Sequence, residues 1–264
     1  MPVSRSRPHV ALVAAIVAAL IVGPTSVGAE WVVETRAGAF RIRSEFTLSR
    51  SESEGLIREI GQLQEDVETL LAIQASDDPI LLSLFRNSSS YRQHLAQRVP
   101  EAASRPALFV KGADMSRVYV YRRRGYEIDV RHECTHAVLH NALPFVPLWL
   151  DEGLAEYFEV SPGDRSARNP HLGSLRRSIL FGWKPDLERL EALTELQQMG
   201  PAEYRESWAW VHFMLHGPLE VRQALSDHLE DLRQGETETR LSVRLRQADR
   251  NVDRRLVAHL RGWR

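Results

Sequence analysis

Arg131-His132-Glu133-Cys134-Thr135-His136 is the stretch from which the rest of this chain can be read. It carries the pattern H-E-x-x-H, and on a helix positions i and i+4 project from one face a single turn apart. His132 and His136 can then address one metal ion through neutral ring nitrogens, while Glu133 beside them reaches a water on that ion. The flanking residues predict such a helix. At about 100° per residue, Val130, Cys134, Ala137 and Val138 gather on one side, and His132, Glu133, His136 and His140 on the other. One face packs as core and the other lines a cleft. Glu127 and Asp129 suit the positive end of the helix dipole, and Asn141 with Pro144 ends the helix.

A metal ion used for hydrolysis needs a third protein ligand and an open position, which directs attention downstream. In Trp149-Leu150-Asp151-Glu152-Gly153-Leu154-Ala155-Glu156-Tyr157-Phe158, Leu150, Leu154, Tyr157 and Phe158 form an apolar helical stripe. Glu152 and Glu156 lie one turn apart on the opposite face. Pro144 and Pro147 keep the connection short, so the second helix folds back on the first and aims Glu152 at the metal.

Together, H-E-C-T-H, fifteen intervening residues and Glu152 within W-L-D-E-G-L-A resemble the gluzincin metallopeptidases, in particular the peptidase MA-like group. The resemblance covers roughly residues 127–160. It implies a zinc-dependent metallopeptidase with one zinc ion per chain, held by His132, His136 and Glu152. It further implies that Glu133 is the general base on a zinc-bound water, and that Glu156, four residues past the ligand Glu, holds a ligand His in place. Peptide or protein is then the substrate. No G-x-M-E-N-like segment lies upstream, so the reading is an endopeptidase rather than an aminopeptidase. In gluzincins a strand just before the site helix often pairs with extended substrate, and Arg117–Tyr121 is in that position. Tyr204, His212 and His216 are candidates for an oxyanion donor, although Tyr204, Trp208, Val211 and Leu215 also read as the core face of one helix. The alternative function is a catalytically inactive zinc-containing binding module of the cell envelope, which would not need Glu133. A purely structural envelope protein would need no aligned ligands at all.

The amino terminus predicts export. Arg5, Arg7 and His9 precede an apolar run from Val10 to Val22, and Val27-Gly28-Ala29 has small residues at a cleavage position, so residues 1–29 read as a signal peptide. The product would be periplasmic or secreted. The run is shorter than the roughly 20 residues of a membrane span, which makes an uncleaved anchor the alternative reading. Removing 29 of 264 residues leaves 235, enough for one sizeable core or two small lobes. A net charge of −1 argues against a nucleic-acid partner. Cys134 is the only cysteine, so no internal disulfide forms, and its place on the apolar helix face marks it as a buried, inert thiol. Oligomeric state is not legible.

The fold class expected is α+β, with a strand and helix lobe over residues 30–125 leading into the H-E-x-x-H helix. A gluzincin, thermolysin-like core with a mainly helical carboxy-terminal part follows over 126–264. Trp31–Thr35 and Phe40–Ser44 alternate as a hairpin around Gly38, and Ser53–Ile73 reads as a long amphipathic helix. Strands are expected at 80–85, 107–110 and 118–121, with a short helix at 91–99. Beyond Ser161, residues up to Pro170 read as polar loop, and the basic stretch Arg165–Arg177 as a solvated loop or a border of the cleft. Further helices are expected at 187–198, 201–216, 218–233 and 237–261. His140, with three ligands already assigned, reads as a surface residue.

Overall fold

Alternating exposure along Val33–Ala37 (β1) and Phe40–Ser44 (β2) follows from their antiparallel pairing at one side of a sheet. The computed structural model describes residues 30–100, 104–165 and 170–263, so the expected signal peptide lies outside the described residues. Gly38 turns the hairpin at φ +56°, and the turn is held by Gln64, whose Oε1 accepts from the Ala39 N–H at 3.1 Å. Ile80–Phe85 (β3) is almost wholly buried because it lies mid-sheet, parallel to both β2 and Ser116–Tyr121 (β5). Ala107–Lys111 (β4) pairs antiparallel with β5 and is the outer strand, giving the order β1-β2-β3-β5-β4.

Helices cover both faces of this sheet. Arg50–Leu71 (α1) begins with a reciprocal cap between Ser49 and Glu52 and lays Leu56, Ile60, Leu63, Val67 and Leu71 on the main core. Ser88–Ala96 (α2), capped by Asn87 a few residues before the start expected from sequence, covers the other face with a smaller cluster around Phe85, Tyr91 and Tyr119. Tyr126–Ala142 (α3) packs between the sheet, α1 and Leu148–Phe158 (α4). It is buried on more sides than its amphipathic pattern predicts, with Arg131, Thr135 and His136 covered as well as Val130 and Cys134. Burial also holds the Cys134 thiol well above its usual pKa.

The remainder is helical: Pro170–Leu180 (α5), Leu187–Glu191 (α6), a 3₁₀ turn at Leu196–Gln198, Pro201–His216 (α7), Leu219–Arg233 (α8), Leu241–Ala248 (α9) and Val252–Gly262 (α10). One continuous core runs from Ala37 in β1 to Leu260 in α10. The molecule is therefore α+β with a helical carboxy-terminal part. None of its described helices is long and apolar enough to cross a membrane.

Three local expectations need correction. The stretch read as a solvated loop up to Arg177 is helical from Pro170, because Leu172, Leu175 and Ile179 fall at i, i+3 and i+7 and bury together. The helix expected over 187–198 is α6 plus a separate 3₁₀ turn. The one expected over 237–261 is split, because the Asp249 carboxylate accepts from the Asn251 N–H at 2.8 Å and from Arg255 at 2.8 Å, which stops α9 and starts α10.

Helix α4 lies close against α7 at Gly153. A Cβ there would lie 2.8 Å from the Ser207 carbonyl oxygen and 3.0 Å from Val211 Cγ2. Glycine is thus required next to Glu152 for packing rather than for turning. Gly153→Ala is expected to destabilise the fold by about 1–3 kcal/mol, as overpacking does, measured by urea unfolding. An unchanged midpoint would show that α4 and α7 are not held at this separation.

Candidate metal centre

His132 and His136 project from adjacent turns of α3, and Glu152 meets them from α4. Glu152 Oε2 lies 3.6 Å from His132 Nε2 and 3.9 Å from His136 Nε2, and the three donor atoms all lie within 4.8 Å of one another. Ligands about 2.1 Å from a shared tetrahedral centre stand roughly 3.4 Å apart, so this group can hold a metal ion with little movement. His136 and Glu152 are buried and His132 nearly so.

The far nitrogens of both imidazoles are occupied. His132 Nδ1 is 2.9 Å from Glu159 Oε2, and His136 Nδ1 is 2.8 Å from Asp151 Oδ1. Each ring is thereby fixed with Nε2 facing Glu152, the arrangement that sets the tautomer of a ligand histidine. Asp151 also takes His140 Nε2 at 2.9 Å through its second oxygen, and Phe109 of β4 stacks over His140 and His136 with centroids at 5.3 and 6.2 Å. Glu159 sits at the end of α4, and its carbonyl accepts from Arg131, whose other nitrogen pairs with Glu59 of α1. Burial of that arginine ties α1, α3 and the residue that holds His132 into one unit.

Electrostatics follow from the crowding of carboxylates. Burial alone would lower the His136 pKa, but Asp151 and Glu152 outweigh it and raise it to about 9. Burial likewise opposes protonation of His132, and Glu152, Glu159 and Glu133 reverse the sign and raise it well above the usual range. Burial raises Glu133, against the pull of His132, His136 and the Phe109 backbone amide, which is turned toward it. For Asp151 the desolvation is overcome by His136 and His140, which hold the carboxyl below its ordinary range. Tyr204 of α7 is half-buried, and its phenol is raised first by burial and then by the charges of Glu152, Glu156 and Glu133.

Several expectations change here. Glu156, read as the partner of a ligand His, is 2.7 Å from His171 Nε2 of α5 and lies beside Glu159, while the rings of His132 and His136 are held by Glu159 and Asp151. The cause is helical phase: Glu159 is seven residues past Glu152 and returns to the same face at the helix end. His140 is not a free surface residue, because Asp151 and Phe109 hold it. Of the oxyanion candidates, His216 bonds the Tyr157 hydroxyl at 2.8 Å and His212 bonds His259 at 2.9 Å, whereas the Tyr204 phenol is held up in pKa by burial and by the charges of the site carboxylates. Finally, β5 is paired on both sides, so among the described residues the open edge on this side of the sheet belongs to β4. No family model matches the chain, and no curated protein matches it either.

With a pKa near 9, metal-free His136 carries a proton at neutral pH, which an incoming metal ion must displace. Zinc affinity is therefore expected to rise as pH increases from about 6 toward 9, with proton release on binding, measurable by calorimetry in buffers of different ionisation enthalpy. Removing a ring-holding carboxylate, Glu159→Ala or Asp151→Ala, should weaken zinc binding about 10- to 100-fold. Binding independent of pH and of both carboxylates would mean that the ion sits elsewhere.

Proposed function

We propose that the chain is a zinc-dependent metallopeptidase of the gluzincin type, with a thermolysin-like site, acting as an endopeptidase outside the cytoplasm. The observation that carries this reading is the convergence of His132, His136 and Glu152 at ligand separations with Glu133 on the same helix turn. Two imidazoles and one carboxylate are a donor set suited to zinc with a position left open, and the carboxylate-backed rings fit it further. When bound, zinc supplies Lewis acidity toward a water and a substrate carbonyl.

The chain's own residues do the rest. Glu133 accepts the proton of the attacking water and returns it to the leaving amine nitrogen, a role helped by burial that raises its pKa above that of a surface carboxylate. Phe109 walls the cleft and shields the imidazoles from water. Tyr204, whose phenol feels the charges of Glu152, Glu156 and Glu133, would serve as the donor to negative charge developing on the carbonyl oxygen. The free edge of β4 pairs with an extended peptide through main-chain bonds, which gives tolerance of substrate sequence.

The test is Glu133→Gln, assayed for cleavage of a peptide library and for zinc content beside the wild type. Cleavage is expected to fall by at least the ~10²–10⁴ typical of a lost acid–base group, with zinc retained. Equal cleavage by both would remove Glu133 as the base. Absence of any cleavage by a fully zinc-loaded wild type would turn the reading toward a binding module.

A further inference from the structure

We propose that the corner between α5 and α6 docks on a membrane surface rich in anionic lipid. Leu180 and Phe181 close α5 with 80% and 90% of their surfaces exposed, the two most exposed large apolar residues among the described residues. They are held out rather than loose. The Phe181 N–H donates to the Ser178 carbonyl at 3.1 Å, the Trp183 N–H to the same carbonyl at 3.0 Å, and Gly182 turns the chain at φ +86°. Trp183 packs against the core behind them.

Exposed positive charge lies close to this tip along the chain. Arg177 and Lys184 are exposed on either side of it in sequence. Arg261 is exposed at the end of α10, which lies against α5 because Arg176 Nε donates to the Leu260 carbonyl at 3.0 Å. None of these three cations makes a hydrogen bond or ion pair with another described residue. Of the acids nearby, Asp186 accepts from the Arg189 N–H as the cap of α6 and Glu188 pairs with Arg246, while Asp253 of α10 is drawn to Arg246. Two adjacent, highly exposed apolar side chains with Arg177 and Lys184 flanking them in the chain match the boundary between acyl chains and phosphate headgroups. A protein partner is less well matched, since a two-residue tip offers far less than the roughly 800 Å² per side of a stable interface.

Docking of this kind also bears on the metal centre. His171, which holds Glu156, and Leu180 are nine residues apart on α5, so the site would stand about 14 Å along the helix from the lipid surface. The docking itself does not depend on what the metal centre does.

Sedimentation with vesicles tests the proposal, using the chain from Glu30 onward, whose core is continuous within the described residues. The wild type is expected to bind phosphatidylcholine vesicles containing phosphatidylglycerol, and to bind phosphatidylcholine alone at least several-fold more weakly. The exposed double variant Leu180→Ser/Phe181→Ser should lose about 10-fold or more in partitioning. Arg177→Glu/Lys184→Glu should lose a similar factor on anionic vesicles only, with an unchanged circular dichroism spectrum showing that each variant folds. No binding to anionic vesicles, or equal binding by the serine variant, would overturn the proposal. A wild-type dimer in solution that the serine variant abolishes, without vesicle binding, would instead assign the tip to a second copy of the chain.

Discussion

The carboxylate–imidazole bonds between α4 and α3 are the interaction on which the rest of the site depends. Asp151 holds His136 and His140, and Glu159 holds His132, so the two helices are joined at the residues whose remaining nitrogens must converge. Everything nearby serves to keep these helices in register. Leu143-Pro144-Phe145-Val146-Pro147 limits the slack between them, Gly153 lets α7 lie directly against α4, and Arg131 anchors the Glu159 backbone to α3 and α1.

That arrangement concentrates like charge. Glu133, Asp151, Glu152, Glu156 and Glu159 lie within a few helical turns of one another, and the imidazoles of His132, His136, His140 and His171 offset them. Without a cation, protons supply the balance, which is why both His132 and His136 are pushed toward the charged form. A divalent ion would replace those protons and satisfy the same carboxylates, so metal loading and fold stability are linked through one set of groups. Buried charge left without a partner is costly, and the network accounts for this by giving each ligand ring its own acid.

Much of this was legible in the sequence because it is local. The H-E-x-x-H helix, the W-L-D-E-G helix and the hairpin around Gly38 each carry their own periodicity and end signals. Glu152 was legible because a second helix with a carboxylate face followed a short proline-bounded link. What was not legible depends on helical phase or on pairing across the chain. Nothing in spacing alone distinguishes Glu156 from Glu159 as the residue that reaches His132, and Asp151 beside Glu152 was passed over because adjacent residues on a helix point in different directions. The sheet order that leaves β4 rather than β5 at the edge arises from non-local pairing. Helix α5 is not legible because its basic residues obscure a three-residue apolar stripe, and Tyr204 reads only as one oxyanion candidate among three because the rest of its helix packs as core.

Under the proposed function, two imidazoles and one carboxylate, and no sulfur, hold a single zinc ion. X-ray absorption at the zinc edge of the purified, loaded protein tests it most directly. The account requires a four-coordinate shell with two histidine nitrogens at about 2.0–2.1 Å and oxygen completing it. A sulfur scatterer near 2.3 Å, or a shell with fewer than two imidazoles, would contradict it.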